Sequence, residues 1–489
     1  MPSNVLMIFS SPIFLLLFLP VVLTVYALLP GIRAKNFWLL LMSLVFYAWG
    51  EVLFVFLLLA STLMNYFLGL WVDRSEDIGR RKLAAGVAVA ANIGLLAFFK
   101  YADFVVTTLN SVLALAGLTL VPQPHILLPI GISFFTFHAL SYVIDIYRRK
   151  WKAATDPKDV ALYIFFFPQL IAGPILRWNA IAPQLVERTM SRDNFAEGIR
   201  RFVGGLTKKV MIANALALPA DQIFALPADE LSATVAWFGI ICYTLQIYFD
   251  FSGYSDMAVG MGKMFGFKFL ENFNFPYLAQ SVREFWRRWH ISLMTWFRDY
   301  LYIPLGGSRV SHKRTNFNLL IVFVLCGLWH GAGWTYIVFG FYQAFFVILE
   351  GTRFGTWQSK LPRPARHFYA VFVFMMSLII FRSNTFTESL HYFLALFGLD
   401  HASAPQPLVR YINNEIIWAL VLGIPFCGPL WGWIKNTCTR LGQATPASCR
   451  AGVQVFASVL EVTLILGLLL VCASWLAGGT YNPFIYYRF

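Results

Sequence analysis

Residues 316–349 read NFNLLIVFVLCGLWHGAGWTYIVFGFYQAFFVIL, and the only group in this stretch that ionises near neutral pH is His330. At about 1.5 Å per residue, one unbroken helix over this stretch would be roughly 51 Å long, whereas the hydrocarbon core of a bilayer is roughly 30 Å thick. The stretch must therefore break, and Gly331-Ala332-Gly333 is the only plausible position. His330 would then lie inside the membrane where the backbone is irregular, which requires surrounding protein or a water-filled cavity.

A dense group of Arg, Trp and His precedes this stretch, in the sequence REFWRRWHISLMTWFRDYLYIPLGGSR of residues 283–309. Arg283, Arg287 and Arg288 fall on neighbouring positions of a helix, where the single nearby carboxylate, Glu284, cannot neutralise all three. The surplus positive charge would meet lipid phosphates, or it would bind an anionic ligand such as the phosphates of a coenzyme-type donor.

The two histidines of this region, His290 and His330, also have an ordinary interpretation as hydrogen-bonded packing residues. His290 follows the arginine group and lies among tryptophans that suit a membrane interface. His330 coincides with a glycine break that lets another molecule approach, and this favours a functional role for it.

Composition places the chain among integral membrane proteins. Of its 489 residues, 58% are hydrophobic and 13% are charged. Repeated long apolar windows predict an all-α, polytopic protein with roughly ten to twelve transmembrane helices plus re-entrant and interfacial helices. The net charge of +14 is best explained by positive cytoplasmic loops and anionic membrane lipids, and no nucleic-acid partner is expected. The six cysteines contain no C-x-x-C pair, so we expect packing residues rather than a metal site or a disulfide framework.

Polar residues interrupt the apolar segment at residues 127–147, where His138, Ser141 and Asp145 share one helix face. A hydrolytic Ser-His-Asp triad is disfavoured, because side chains on one face project alongside each other instead of converging. A polar seam between membrane helices is the better prediction.

Two further polar features lie between this segment and the arginine group. The spacing of apolar residues at 195–212 predicts an amphipathic helix lying in the membrane interface. Asp250 and Asp256 have no metal-ligand residues beside them, so structural pairing or capping is expected.

The chain contains no soluble domain and no internal repeat, and we treat residues 1–489 as one membrane domain with a motif core at residues 246–343. A lipid or glycan transporter remains the alternative from another functional class, with His330 as a proton relay and the arginines as a headgroup site. Internal repeats would favour the transporter.

Long motifs resemble those of the membrane-bound O-acyltransferase (MBOAT) family, and within it the bacterial alginate O-acetylase branch. The central motifs are QIYFDFSGYSDMAVGMGKMFGF (246–267), ENFNFPYLAQSVREFWRRWHISLMTWFRDYLYIPLGG (271–307) and LLIVFVLCGLWHGAGWTYIVFGFYQA (319–344). Further matches are FSSPIFLLLFLP (9–20), LPIGISFFTFHALSYVIDIYR (128–148), FFPQLIAGPILR (166–177) and YNPFIYYRF (481–489). The resemblance therefore spans the whole chain.

The resemblance implies a ring of tilted helices around a thin catalytic centre in the bacterial inner membrane. It implies transfer of an acetyl group from a cytoplasmic donor, acetyl-CoA or another acyl thioester, to a hydroxyl across the membrane, with no bound cofactor or metal. Periplasmic acetyl-transfer proteins would then modify an exported, alginate-like polysaccharide. A D-alanyl or fatty acyl transferase of the same family is the alternative within this class.

The family's essential histidine, in its GLWHG segment, matches His330, and its second histidine, in the WHIS motif, matches His290. We expect His330 to act as the general base on the acceptor hydroxyl, or to carry the acetyl group briefly as a nucleophile. We expect His290 to orient the donor or to stabilise developing charge, with Arg287 and Arg288 near the phosphates of the donor.

The basic clusters predict the topology, because Lys and Arg in short loops face the cytoplasm. Arg33 and residues 74–82, 148–152 and 353–366 should be cytoplasmic, and Met1 should be periplasmic. Single cysteines placed in a variant without the native cysteines should confirm this scheme by their accessibility to impermeant reagents. Labelling of Arg74→Cys and Arg353→Cys from the periplasmic side would contradict it.

Overall fold

The computed structural model describes residues 7–400, 402–444 and 447–483, and its regular elements in these residues are all helical, as predicted. Met1 and the last six residues of the closing motif lie outside this range. The first eight helices are α1 Leu19–Leu28, α2 Gly31–Ala48, α3 Phe54–Arg74, α4 Ile78–Leu115, α5 Ile132–Tyr147, α6 Pro157–Phe165, α7 Phe167–Leu170 and α8 Trp178–Val186.

The second half continues with helices of very different lengths. They are α9 Arg192–Thr207, α10 Asn214–Phe224, α11 Ala233–Met264, α12 Val282–Arg288, α13 Ile291–Phe297, α14 His312–His330, α15 Trp334–Leu349, α16 Arg353–Gln358, α17 Arg363–Arg382, α18 Phe386–Leu396, α19 Asn414–Phe426, α20 Leu430–Ala444 and α21 Ala447–Ala477. Short π-helical segments occur at Phe14–Phe18, Lys208–Ala213 and Arg298–Tyr302, and 3₁₀ turns at Pro276–Leu278 and Leu408–Tyr411.

Fewer helices are long enough to cross a bilayer than the ten to twelve expected. Over the described residues, α3, α4, α11, α17 and most of α21 are long and apolar enough, and the bent pair of α19 and α20 makes up to six. Other apolar segments form shorter helices, at Phe14–Leu28, Ile132–Tyr147 and Trp334–Leu349. Apolar windows in a sequence do not reveal such breaks, which is why they suggested more full-length spans.

The predicted break after His330 is confirmed. Helix α14 ends at His330 and α15 begins at Trp334, and the two pack closely against each other. Two glycines allow this approach, because a Cβ at Gly327 would lie 2.1 Å from the carbonyl oxygen of Tyr336, and one at Gly340 would lie 2.5 Å from that of Phe323. The hairpin therefore brings the histidine to its closed end.

Helix α9 and the π-helical segment after it cover residues 195–212, where an interfacial helix is predicted, and α9 packs lengthwise against α11. Gly198 lies against Gly260 and Gly205 against Gly253, so the two helices run antiparallel with their backbones in close contact. These glycines of α9 and Phe202 face this neighbouring helix, whereas Phe195 and Ile199 are exposed, and a position in the membrane interface stays a prediction. Arg201 of α9 and Lys208 and Lys209 of the following segment find acidic partners on α11.

Asp250 and Asp256 supply these partners, and the prediction that they pair structurally is confirmed. Asp256 accepts from Lys208 at 2.6 Å and from Arg201 at 2.8 Å. Asp250 pairs with Lys209, and both side chains are almost fully buried. Removing one partner of such a buried ion pair destabilises the protein, because the other charge is left unpaired in an apolar environment.

The polar seam predicted on α5 is also confirmed. The indole Nε1 of Trp296 donates to Ser141 Oγ at 2.9 Å, and the hydroxyl of Tyr300 donates to Asp145 Oδ1 at 2.7 Å. His138 is fully buried, and neither of its ring nitrogens has a hydrogen-bond partner among the described residues. The three side chains therefore have separate surroundings, and they form no triad.

The contact between α9 and α11 can be tested with two neighbouring glycines. A Cβ at Gly205 would lie 2.5 Å from the carbonyl oxygen of Gly253, whereas one at Gly204 meets nothing within 4 Å. We expect Gly205→Ala to destabilise the protein by about 1–3 kcal/mol through overpacking. Gly204→Ala should be neutral or stabilise it by about 0.5–1 kcal/mol. Thermal unfolding in detergent measures both, and equal effects would contradict this packing.

Candidate active site

His330 is the last residue of α14 and lies in an aromatic environment built by three helices. Its ring centroid is 4.9 Å from Trp329, 5.3 Å from Phe381 of α17 and 6.3 Å from Phe339 of α15. The next residue, Gly331, is extended, so the helix stops directly after the imidazole. This arrangement places an ionisable ring at a helix end enclosed by apolar rings.

His290 lies in the turn between α12 and α13 and is fully buried. Its backbone is in the left-handed region, with φ 45° and ψ 52°, which is uncommon for a residue other than glycine and strained. The ring packs edge-on against Phe251 at 4.6 Å and against Trp329 at 5.8 Å. Such strain persists only where neighbouring contacts determine the conformation.

Asn272 provides these contacts. Its side-chain oxygen Oδ1 accepts from the backbone N–H of Ser292 at 3.1 Å, from Ser292 Oγ at 2.8 Å and from Nδ1 of His290 at 3.2 Å. The backbone N–H fixes this atom as the acceptor, so Nδ1 of neutral His290 carries the proton. Nε2 then presents a lone pair, and this buried nitrogen has no hydrogen-bond partner among the described residues. The network thus leaves Nε2 of His290 available as a hydrogen-bond acceptor.

Trp329 joins the two histidines into one site. Both imidazoles contact its ring edge-on, His330 from the adjacent position and His290 from the turn before α13. The structure therefore brings together the two histidines that the sequence singled out, although forty residues separate them along the chain.

Lys100 and Tyr101 belong to the site and were missed by sequence reasoning. The Lys100 ammonium donates to the carbonyl oxygens of Trp329 at 2.5 Å and His330 at 3.2 Å, and the Tyr101 hydroxyl donates to that of Leu328 at 2.7 Å. The last carbonyls of a helix lack partners within the helix, and a cation there also meets the negative end of the helix dipole. Lys100 and Tyr101 of α4 thus cap the C-terminal end of α14 at His330.

Lys100 follows one apolar run of the sequence, residues 83–99, and precedes another, residues 104–121, which is a pattern typical of a break between two helices. Helix α4 instead runs without interruption from Ile78 to Leu115, with Lys100 buried inside it. An ionisable residue within a membrane helix is by default a functional candidate, and continuity of the helix would have revealed it.

Of the three arginines proposed as a donor site, Arg283 lies at the far end of α15 from His330. Arg283 donates through Nε to the carbonyl oxygen of Val347 at 2.9 Å, and Arg288 pairs with Glu284 at 2.8 Å. Arg287 is exposed. Two of the three therefore hold the fold together locally, and donor binding by this group stays a prediction.

The described residues contain no group of three or more His, Cys, Asp or Glu side chains that could hold a metal ion. The candidate site contains two imidazoles, and Lys100 and Asn272 fix their surroundings.

Comparison with known proteins identifies relatives across the whole chain. The model of the MBOAT, membrane-bound O-acyltransferase family matches residues 80–391. A probable alginate O-acetylase of Azotobacter vinelandii is 40% identical over 99% of this chain and 100% of its own length. A probable alginate O-acetylase of Pseudomonas aeruginosa is 45% identical over 80% of this chain and 75% of its own length. A peptidoglycan O-acetyltransferase of Helicobacter pylori is 39% identical over 68% of each chain.

Replacing Lys100 tests whether the cap positions the site. Lys100→Met removes the donor to the carbonyls of Trp329 and His330, and we expect turnover in an acyl-transfer assay to fall about tenfold, or ~1.4 kcal/mol of barrier. The KM for the donor should stay close to that of the unaltered protein. Lys100→Arg should restore part of the turnover, because it keeps the charge and the donors.

Lys313→Met is the matched control, since Lys313 is exposed at the opposite end of α14. Unchanged turnover in Lys100→Met, or a loss fully explained by less folded protein on size-exclusion chromatography, would contradict the positioning role.

Proposed function

The chain belongs to the membrane-bound O-acyltransferase family, and from this premise we propose that it acetylates an exported, alginate-like polysaccharide. It is a multi-pass membrane protein and an O-acyltransferase. The proposed reaction moves an acetyl group from a cytoplasmic thioester, acetyl-CoA or another acyl thioester, to a hydroxyl on the other side of the inner membrane. The observation that carries the proposal is the pairing of His330 and His290 around Trp329 at the closed end of the α14–α15 hairpin.

His330 is assigned as the general base. A neutral imidazole takes the proton of the acceptor hydroxyl while the hydroxyl oxygen attacks the thioester carbonyl. The carbon–sulfur bond then breaks, and the departing thiolate receives the proton from the imidazolium. The aromatic rings of α15 and α17 around His330 limit the access of water, which would otherwise compete for the thioester.

A covalent route uses the same residue. The imidazole of His330 attacks the thioester carbonyl first, the thiol leaves, and the hydroxyl then takes the acetyl group from the acyl-histidine. In the direct route donor and acceptor occupy the site together, whereas in the covalent route they enter in turn.

His290 is assigned to orienting the donor. With its proton on Nδ1 and directed to Asn272, the neutral ring offers the lone pair of Nε2, which accepts a hydrogen bond from an N–H or O–H group of the donor. The same tautomer argues against the other expected role, because an Nε2 atom without a proton cannot donate to a developing oxyanion.

Periplasmic acetyl-transfer proteins are the proposed partners that complete modification of the polymer. Alginate is the first candidate, because the relatives that match nearly the whole chain are named alginate O-acetylases. Peptidoglycan is the second, because a peptidoglycan O-acetyltransferase is 39% identical over two thirds of the chain.

The assignment of His330 is tested with purified protein in liposomes and labelled acetyl, D-alanyl and long-chain acyl thioesters. The unaltered protein should release the thiol and transfer label from the acetyl donor, and His330→Ala should abolish this reaction while inserting normally. His312→Ala, at the exposed opposite end of α14, is the matched control and should retain activity. Substantial acetylation by His330→Ala would contradict the catalytic role of His330. A preference for the D-alanyl or long-chain acyl thioester would contradict acetyl as the transferred group.

A further inference from the structure

Two segments at one end of the molecule join into a single surface. Residues 225–232 connect α10 to α11, and residues 383–415 contain α18 and lead into α19. The backbone N–H of Gln406 donates to the carbonyl oxygen of Glu230 at 3.1 Å, and the side-chain amide of Gln406 donates to the carboxylate of Glu230 at 2.6 Å. The two segments therefore lie side by side, although they are far apart in the chain.

This surface is acidic, although the protein as a whole is strongly basic. Its two segments contain five acidic residues and one arginine, so their formal charge is −4 with histidine neutral, whereas the net charge of the whole chain is +14. The acidic residues are Asp229, Glu230, Glu388, Asp400 and Glu415, and the arginine is Arg410. Among the described residues, none of these carboxylates forms an ion pair with lysine or arginine, and Asp400 contacts His391 at 3.3 Å. We call residues 225–232 and 383–415 the acidic face.

The acidic face lies opposite the basic loops. Helix α17 begins in the basic segment 353–366 and ends directly before the face. Helix α11 begins at the face, and the carbonyl oxygen just past its other end accepts from Arg188 at 3.1 Å. Arg188 also donates to Asn36 at 2.7 Å, in the helix that carries Arg33, which is predicted to be cytoplasmic. The positive-inside rule therefore predicts that the acidic face is periplasmic.

The acidic face begins beside the candidate active site. The ring of Phe381, the penultimate residue of α17, lies 5.3 Å from His330. The last residue of this helix, Arg382, pairs with Asp221 at 2.9 Å, so its charge does not neutralise the face. A surface of one charge raises or lowers the local concentration of charged molecules. A molecule that approaches His330 along this end of α17 therefore meets a negative surface.

Two large apolar side chains project from the acidic face. Leu399, in the turn after α18, is 69% exposed, and Val409, in the 3₁₀ turn Leu408–Tyr411, is 76% exposed. Both belong to the segment between α18 and α19 rather than to a membrane-spanning helix. A backbone hydrogen bond from Leu399 to Leu394, at 2.8 Å, closes the turn after α18. Exposed apolar side chains with a polar rim are typical of protein interfaces, and here they stand on an ordered backbone.

Charge decides between the candidate ligands of this face. A polyuronate such as alginate carries one carboxylate per sugar residue, and like charges facing each other across an interface cost binding free energy. Anionic lipid headgroups are repelled for the same reason. The described residues contain no group of three or more His, Cys, Asp or Glu side chains that could hold a metal ion. A basic protein surface, in contrast, complements both the carboxylates and the apolar side chains.

We propose that the acidic face docks the periplasmic acetyl-transfer protein through a basic contact surface on that protein. This inference rests on the proposed function and identifies where its partner binds. Opposite charges across the interface accelerate association and select this partner, while Leu399 and Val409 supply apolar contacts that slow its dissociation. The same carboxylates keep a polyanionic polymer away from the membrane domain.

The test places a fluorophore on Val409→Cys, in a variant without the native cysteines in phosphatidylcholine nanodiscs, so that the signal reports binding at this face. The probes are an arginine–leucine peptide, the same peptide with glutamine in place of arginine, and oligomannuronate. At about 20 mM salt, we expect the basic peptide to bind at least about tenfold more tightly than the neutral peptide. The difference should shrink to about twofold at about 500 mM salt, because ions screen exposed charges. Oligomannuronate should not change the signal.

A triple variant tests whether the carboxylates cause this preference. Three exposed carboxylates of the face are neutralised together in Asp229→Asn/Glu388→Gln/Glu415→Gln, which should reduce the tenfold preference to about twofold. The matched control, Glu76→Gln/Glu187→Gln/Asp193→Asn, neutralises three exposed carboxylates at the opposite end and should keep the preference. Equal affinity for the two peptides, a preference unchanged in the triple variant, or a signal from oligomannuronate would overturn the inference.

A photo-crosslinker at Leu399 in the native host distinguishes a protein from a lipid. We expect it to capture a periplasmic protein that carries labelled acetyl, and to capture several-fold less in the triple variant. Crosslinks to phospholipid alone would overturn the inference. The peptide measurements are repeated in His330→Ala, where we expect the same affinities because docking does not need catalysis. If these affinities hold but the captured protein never carries labelled acetyl, the proposed function fails and the docking surface stands.

Discussion

The structure of this protein depends on hydrogen bonds to the carbonyl groups at the C-terminal end of α14, inside the membrane domain. A helix that stops in an apolar environment leaves carbonyl groups without partners, and each such group costs free energy. Lys100 and Tyr101, two consecutive residues of α4, donate to three consecutive carbonyls at this end. The helix can end at His330, before the irregular residues 331–333, because α4 supplies the hydrogen-bond donors for its last carbonyls. His330 lies where the two helices meet.

Close packing brings the remaining elements to that junction. Glycines on α14 and α15 let the hairpin close, and the stacked rings of α5 and α13 fill the space on one side of Trp329. Asn272 holds the turn that carries His290 from the other side. The site therefore draws on segments far apart in the chain, and its geometry depends on packing between helices rather than on one motif.

The sequence predicted those parts of the site that local rules govern. Helix length against bilayer thickness located the break after His330, and the spacing of Ser141 and Asp145 predicted a seam that Trp296 and Tyr300 complete. It did not predict Lys100, because Lys100 and Asp103 between two apolar runs resemble a loop until α4 is seen to be continuous. Nor did it predict the α9–α11 contact, since amphipathic spacing does not identify which neighbour a helix packs against.

The cap on α14 contacts backbone atoms, and this has a consequence for how such a protein diversifies. Lys100 binds the carbonyl oxygens of Trp329 and His330 and makes no demand on the side chains at these positions. The scaffold can therefore persist while the residues that project from the helix end change. Selection can then alter the group transferred or the acceptor by substituting rings in the site, without having to evolve a new way of ending the helix.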